Sequence, residues 1–93
     1  MNSAFQKCAV ISRHISRMKG LSSDAKYVRA MEAMVLCLEE FKEHETIDRY
    51  RIAIDMPTES LLVTIWSCGV PMIKMIPIFN LNEPEDAFER ARP

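Results

Sequence analysis

Apolar residues in the first half of the chain recur at the spacing of helix faces. From Ala4 to Lys19 they return every three or four residues, which predicts a first helix. Gly20 follows as a cap, and residues 22–24 supply the polar side chains that begin a second helix. The inward seam of this second helix is formed by Tyr27, Ala30, Met31, Met34, Val35, Leu38 and Phe41. A connection this short predicts an antiparallel αα-hairpin over residues 4–45.

The hydrophobic period changes to two after the second helix, which predicts β-strands in the second half of the chain. Tyr50, Ile52 and Ile54 alternate with charged or small residues, the pattern of a strand with one buried face. Residues 61–67 are apolar at nearly every position, which is typical of a central strand. Residues 56–60 form the turn between these two strands.

The third strand, residues 70–79, contains two prolines that indicate its place in the sheet. Pro71 and Pro77 lie six residues apart and share parity, so both missing amides point to the same side. Only an outer edge tolerates this arrangement, because an inner strand would lose two hydrogen bonds to a neighbour. We therefore expect a three-stranded antiparallel meander over residues 48–79 with this strand outermost.

A short helix over residues 83–91 is expected after the sheet. Asn82 provides a capping side chain, and Pro84 falls in the first turn, where its missing amide costs nothing. The sequence thus predicts one α+β domain over residues 1–93. In this domain an antiparallel αα-hairpin packs on a three-stranded antiparallel β-meander and a short C-terminal helix follows, in the order α-α-β-β-β-α.

Composition places the chain among globular proteins. Of its 93 residues 48% are apolar and 27% charged, which excludes a disordered or low-complexity chain. Its three widely spaced cysteines cannot build the even-numbered disulfide framework of a small secreted scaffold. The first residues lack the pattern of a secretory signal, and the apolar segments are too short to span a membrane. We therefore expect a soluble cytoplasmic protein with no membrane partner.

No pattern of residues predicts catalysis. The two glycines, Gly20 and Gly69, are too few for a phosphate-binding loop, and the cysteines and histidines never approach zinc-ligand spacing. Cys68, beside Gly69, is the residue nearest to an exposed nucleophile, but free cysteine is among the most buried residue types. We interpret all three cysteines as structural and expect a non-enzymatic protein without cofactor or metal.

Charge is distributed unevenly although the net charge is only −1. Residues 1–30 carry six basic side chains and one acidic, whereas residues 31–60 carry eight acidic and three basic. The hairpin gathers five of these six basic side chains at one end, the basic tip: Arg13, Arg17, Lys19, Lys26 and Arg29. Its other end, the acidic end, carries Glu39, Glu40 and Glu43. Lys26 and Arg29 lie near the positive end of the second helix's dipole and the glutamates lie near its negative end, and residues that break a local rule are candidates for function.

The predicted sheet carries apolar residues on both faces, which is more apolar surface than two helices can cover. The last helix, through Ala87, Phe88 and Ala91, is one candidate to cover the second face. Otherwise this face is a dimer interface or a docking site, because Trp, Met and Arg are enriched in such places. Its candidate binding residues are Arg49, Arg51, Trp66, Met72 and Lys74.

These features favour a non-enzymatic protein-binding module that inhibits or regulates a larger partner protein. Inhibitors need only shape and charge, so a phage or mobile-element inhibitor of a host system, such as an anti-CRISPR protein, fits this hypothesis. A homodimer through the sheet is a second arrangement. The alternative function is nucleic-acid binding through the basic tip, with a salt-dependent affinity. A third class, an enzyme using Cys68, requires a thiol with a depressed pKa.

Overall fold

The computed structural model describes residues 2–79, which form two helices and one three-stranded antiparallel sheet. The elements are α1 (Asn2–Ser16), α2 (Ser23–Glu43), β1 (Arg49–Asp55), β2 (Ser60–Ser67) and β3 (Val70–Pro77). The predicted α+β class, with two helices before three strands, is confirmed. The first helix ends three residues earlier than its apolar pattern indicated, so Lys19 belongs to the connection. The predicted helix over residues 83–91 lies outside the described residues.

The two helices lie antiparallel, because contacts join the start of each helix to the end of the other. The Lys7 ammonium in α1 lies 6.0 Å from the centroid of the Phe41 ring, near the end of α2. At the opposite end, the Lys26 ammonium donates a 2.8 Å hydrogen bond to the Ser16 carbonyl. Ser22 caps α2, because its hydroxyl oxygen accepts a 3.2 Å hydrogen bond from the backbone amide of Ala25. Lys26 therefore satisfies a carbonyl that the end of α1 would otherwise leave unpaired.

The strands are ordered β1-β2-β3, so β2 is central and β3 lies at an edge. Pro71 faces Trp66 and Pro77 faces Ser60 across the β2–β3 pair. Their missing amides therefore point away from β2, as the sequence predicted. The Ser12 hydroxyl of α1 donates a hydrogen bond to the Pro77 carbonyl, which ties α1 to β3 at the end of that strand.

A two-residue turn joins β2 to β3 and fixes their register. Cys68 and Gly69 have φ angles of 54° and 76°, the left-handed conformation that a type I′ hairpin turn requires at both positions. The Gly69 amide donates a 2.8 Å hydrogen bond to the Asp48 carboxylate. This turn pairs Ser67 with Val70, and every later pair of the two strands follows from that first one.

The hydrophobic core lies between the helix pair and one face of the sheet. Leu61, Val63 and Ile65 of β2 are fully buried there, together with Met34 and Leu38 of α2. The other core side chains are Ala4, Phe5, Cys8, Ile15, Tyr27, Ala30, Ile47, Ile76 and Ile78. Since every second residue of β2 points into this layer, the sheet has one face packed against the helices. Neither described helix is long and apolar enough to cross a membrane.

Candidate functional site

The register of the sheet defines a second face that points away from the helices. Directly opposed residues of antiparallel strands share a face, so the partners of the buried Leu61, Val63 and Ile65 point toward the helices. The residues between them point to the other side, which we call the outer sheet face. Its members by this register are Arg49, Arg51, Ala53, Asp55, Ser60, Leu62, Thr64, Trp66, Pro71, Ile73, Met75 and Pro77. Within residues 2–79, both helices lie on the opposite side of the sheet.

Arg49 and Trp66 form a stacked pair on the outer sheet face. They are direct partners across β1 and β2, and the guanidinium carbon lies 4.2 Å from the centroid of the indole ring. This is a cation–π arrangement, in which the ring face attracts the positive charge. Arg51, two residues further along β1, is exposed and carries its charge on the same face. The outer sheet face therefore carries two arginines in the first half of β1, whereas the Asp55 carboxylate lies on the same face at the end of that strand.

The β3 side of the outer sheet face is apolar and accessible. Ile73 is 68% exposed and Met75 is 51% exposed, and both belong to the edge strand. Thr64 and Leu62, their partners on β2, are half-buried by these neighbours. Arg49 and Arg51 on β1 are thus separated from the apolar residues of β3 by the central strand β2, which carries Trp66.

The structure separates two of the predicted sheet residues from the other three. Met72 is opposed to Ile65 and Lys74 to Val63, so both lie on the helix-facing side. The Lys74 ammonium accordingly lies 6.0 Å from the centroid of the Phe5 ring of α1. Their places on the outer sheet face are taken by their neighbours Ile73 and Met75, which the binding prediction did not include. The signal that could have identified them is the Cys68-Gly69 turn, because a two-residue turn fixes which face each β3 residue occupies.

Two members of the basic tip are half-buried. Lys26 is half-buried, donates to the Ser16 carbonyl and lies 5.8 Å from the centroid of the Phe79 ring. Arg13 is half-buried, and its Nε has no hydrogen-bond partner within the described part of the chain. The remaining three, Arg17, Lys19 and Arg29, are exposed. The basic surface is therefore smaller than the sequence indicated.

The acidic end is also partly used by the fold. Glu39 is half-buried and accepts a hydrogen bond from the Tyr50 hydroxyl, which links α2 to β1. This hydrogen bond, together with burial and the Glu39 charge, raises the pKa of Tyr50 to about 12. Glu40 and Glu43 are exposed. Only these two of the three predicted residues are presented to solvent.

A cleft at the acidic end brings together side chains that could carry chemistry. It has a volume of about 220 Å³ and is lined by Lys7, Cys37, Glu40, Phe41, His44 and Thr46. Burial raises the pKa of the Cys37 thiol; Lys7 opposes this shift, and Glu40 adds to it. The thiol is therefore protonated at neutral pH and is a poor nucleophile. The cleft is also smaller than the roughly 300–1,000 Å³ of a typical ligand pocket.

The other two cysteines occupy contrasting environments. Cys8 is fully buried in the core, and this burial, with a contribution from Cys37, raises its thiol pKa to about 12. Cys68 is exposed in the β2–β3 turn. All three are free thiols. Among the residues that the structure describes, no group of three His, Cys, Asp or Glu side chains could hold a metal ion.

No protein-family model matches this chain, and comparisons with curated proteins and with solved structures also find no match.

Proposed function

We propose that this protein is a non-enzymatic protein-binding module that uses its outer sheet face to dock on a larger partner protein and thereby inhibits or regulates it. The single observation that carries this proposal is the Arg49–Trp66 stack beside the exposed side chains of Ile73 and Met75. Trp and Arg dominate the binding energy of protein interfaces, and Met is also enriched there. An exposed strand of large apolar residues is otherwise a liability for a small domain.

The charges of the outer sheet face specify the chemistry of the partner. Arg49 and Arg51 present two positive charges beside the apolar strip formed by Ile73 and Met75. A complementary partner surface has an apolar strip with carboxylates along one side, which would pair with the guanidinium groups as the interface closes. Because Arg49 is already ordered against Trp66, it loses less side-chain freedom on binding than an unsupported arginine would.

The size of the outer sheet face favours a larger partner over a second copy of this chain. Three strands of about seven residues, with about 3.4 Å per residue and about 4.8 Å between strands, give a footprint of roughly 340 Å². This projected area is small beside the roughly 800 Å² of accessible surface that each partner buries in a standard-size interface, so two copies stacked face to face would form a small contact. A larger partner can also contact the strand edges and turns.

Affinity capture with matched surface variants tests this proposal. The tagged protein is incubated with bacterial lysate, with and without nuclease, alongside I73E and L36E variants. Ile73 is 68% exposed on the outer sheet face and Leu36 is 74% exposed on α2, so both variants place the same charge on a similarly accessible position. Because neither side chain is buried, each change should cost less than about 0.5 kcal/mol of folding free energy.

The proposal predicts a protein that survives nuclease, is retained by the wild type and by L36E, and is lost with I73E. Retention by I73E but not by L36E would assign the binding site to α2 and contradict the proposal. Material that disappears with nuclease would instead support nucleic-acid binding through the basic tip. Light scattering of the purified protein tests the homodimer alternative. The proposal predicts that the protein is a monomer.

A further inference from the structure

The free edge of β3 carries backbone groups that the sheet does not use. Pro71 and Pro77 turn away from β2, and because the pattern alternates along an antiparallel strand, the amides and carbonyls of Ile73 and Met75 also point outward. Within residues 2–79, no group bonds to these outward amides and carbonyls. The Pro71 carbonyl points the same way, whereas the Pro77 carbonyl already accepts the Ser12 hydroxyl. The edge therefore offers the two amides of Ile73 and Met75 as donors, and their carbonyls and that of Pro71 as acceptors.

A groove follows this edge on its helix side. Its volume is about 370 Å³, within the roughly 300–1,000 Å³ of typical ligand pockets, and its lining residues are Phe5, Gln6 and Ala9 of α1 and residues 74–77 of β3. Two contacts set α1 along the strand, since the Lys74 ammonium lies 6.0 Å from the centroid of the Phe5 ring and Ser12 bonds to Pro77. From 5 to 12 in a helix and from 74 to 77 in a strand, the chain advances about 10 Å in each case. The helix therefore forms one wall of the groove and β3 forms the other.

The charge of the groove specifies one feature of its occupant. Lys74 is the one charged side chain among the described residues that line the groove, and it is exposed. Opposite charges on directly opposed residues of neighbouring strands attract each other. A strand added at this edge is therefore favoured when it carries an acidic side chain opposite Lys74.

The same lysine disfavours a second copy of this chain at the edge. The two prolines limit the open edge to residues 72–76, and Lys74 is the centre of that segment. If Ile73 of each copy bonded to Met75 of the other in an antiparallel pair, the two Lys74 side chains would lie directly opposite each other. Like charges in that position are destabilising, and lysine on an edge strand is a common protection against self-pairing.

We propose that the open edge of β3 and the adjoining groove bind an extended peptide segment of a partner protein, which adds as a fourth antiparallel strand and places an acidic side chain opposite Lys74. Backbone hydrogen bonds to Ile73 and Met75 supply affinity, and alternate side chains of the segment supply specificity. Those on the helix side are the acidic residue and the apolar residues two positions away, which enter the groove against Phe5 and Ala9. The contact uses the backbone edge and the helix side of β3, so it does not depend on docking through the outer sheet face.

Synthetic peptides added to the full chain test this proposal. The probe is a capped peptide of about seven residues, with a central glutamate, a threonine on each side of it and valines beyond. N-methylation of both threonine amides removes the donors that would face β3. N-methylation of the glutamate amide is the matched control, because that amide points away from β3. A further probe has lysine in place of the glutamate.

We expect the glutamate probe to bind in fluorescence anisotropy titrations. N-methylation of the threonines should weaken binding roughly tenfold or more, because two backbone hydrogen bonds are lost, and N-methylation of the glutamate should change it by less than about twofold. The K74E variant should bind the glutamate probe several-fold more weakly and the lysine probe several-fold more tightly than the wild type does. K42E makes the same change at an exposed lysine in the last turn of α2 and should alter neither affinity.

Hydrogen exchange followed by NMR locates the contact. The amides of Ile73 and Met75 should exchange rapidly in the free protein and several-fold more slowly with saturating glutamate probe. Ile52 lies opposite Val63, which bonds to β3, so its amide points to the other edge of the sheet and should keep its rate.

Four results would overturn the proposal. They are the absence of binding at millimolar probe, an equal loss with the two N-methylated peptides, an unchanged preference in K74E, and protection at Ile52 rather than at Ile73 and Met75. Protection of Ile73 and Met75 that rises with protein concentration in the absence of peptide would assign the edge to a second copy and would also contradict the proposal. Because the probes are synthetic, none of these results depends on the partner of the outer sheet face.

Discussion

The guanidinium of Arg49 covers one face of the Trp66 indole ring, with 4.2 Å between the guanidinium carbon and the ring centroid. Because Trp66 is the single tryptophan of the chain, its fluorescence reports on this pair alone. Replacement of Arg49 by Ala should expose the ring and increase quenching by acrylamide, with a stability loss of about 0.5–1 kcal/mol. Arg51→Ala removes a nearby charge without uncovering the ring, and equal quenching in the two variants would contradict the stacked geometry.

Ser12 is expected to stabilise the attachment of α1 to the end of β3. Its side chain is fully buried and donates to the Pro77 carbonyl, so Ser12→Ala leaves that carbonyl without its partner. The expected loss is about 1–2 kcal/mol in the free energy of unfolding, measured by urea denaturation. The control is Ser16→Ala, because the Ser16 hydroxyl donates to the Arg13 carbonyl, three residues back in its own helix. If the two variants lose the same free energy, the Ser12 contact does not have this role.

The β2–β3 turn carries a residue that is not optimal for its conformation. Cys68 has a φ of 54°, a region in which asparagine is favoured over most other residues with a side chain. Cys68→Asn should raise the free energy of unfolding by a few tenths of a kcal/mol. Gly69→Ala should lower it by about 1 kcal/mol, because a side chain at φ 76° is strained although no atom lies within 4 Å of the added methyl group. Thermal unfolding measures both, and a shift in the same direction for both variants would contradict a type I′ turn.

The hydrogen bond from Tyr50 to Glu39 makes a pH-dependent contribution to stability. The pKa of the Tyr50 hydroxyl is about 12 in the folded protein, above the ordinary value of 10.0 for tyrosine, so the folded state holds the phenol proton more tightly. The contribution is therefore complete below pH 10 and is lost as the pH rises through about 12. The difference in unfolding free energy between wild type and Tyr50→Phe should shrink across this window. A difference that stays constant from pH 9 to pH 12 would show that Tyr50 does not form this bond.

The local patterns of the sequence were sufficient to predict the order of the elements. Alternation of apolar and polar residues identified β1, and the shared parity of Pro71 and Pro77 placed β3 at an edge, because both signals depend only on backbone geometry. The two-sided apolar character of β3 hid which residues face outward, and Met72 and Lys74 were assigned to the wrong face. The two-residue turn at Cys68 and Gly69 sets the register of β3, and this register shows which of its residues face outward.

Charge alone was a weaker guide to the surface. The sequence places Lys26 in the basic tip and Glu39 in the acidic end, but long-range contacts decide how much of each charge reaches solvent. Lys26 donates a hydrogen bond to a backbone carbonyl of α1, and Glu39 accepts a hydrogen bond from the hydroxyl of Tyr50 on β1. Neither partner lies within one helical turn in the sequence, so no local pattern could reveal the two contacts.

Site-specific photo-cross-linking tests the central claim most directly, because it reports which surface touches a partner inside the cell. A photoreactive amino acid is placed at residue 73 on the outer sheet face or at residue 36 on α2, two positions of similar exposure. After irradiation, we predict a discrete heavier product with one protein from position 73, and none from position 36. A product from position 36 alone would contradict the assignment of the outer sheet face as the docking surface.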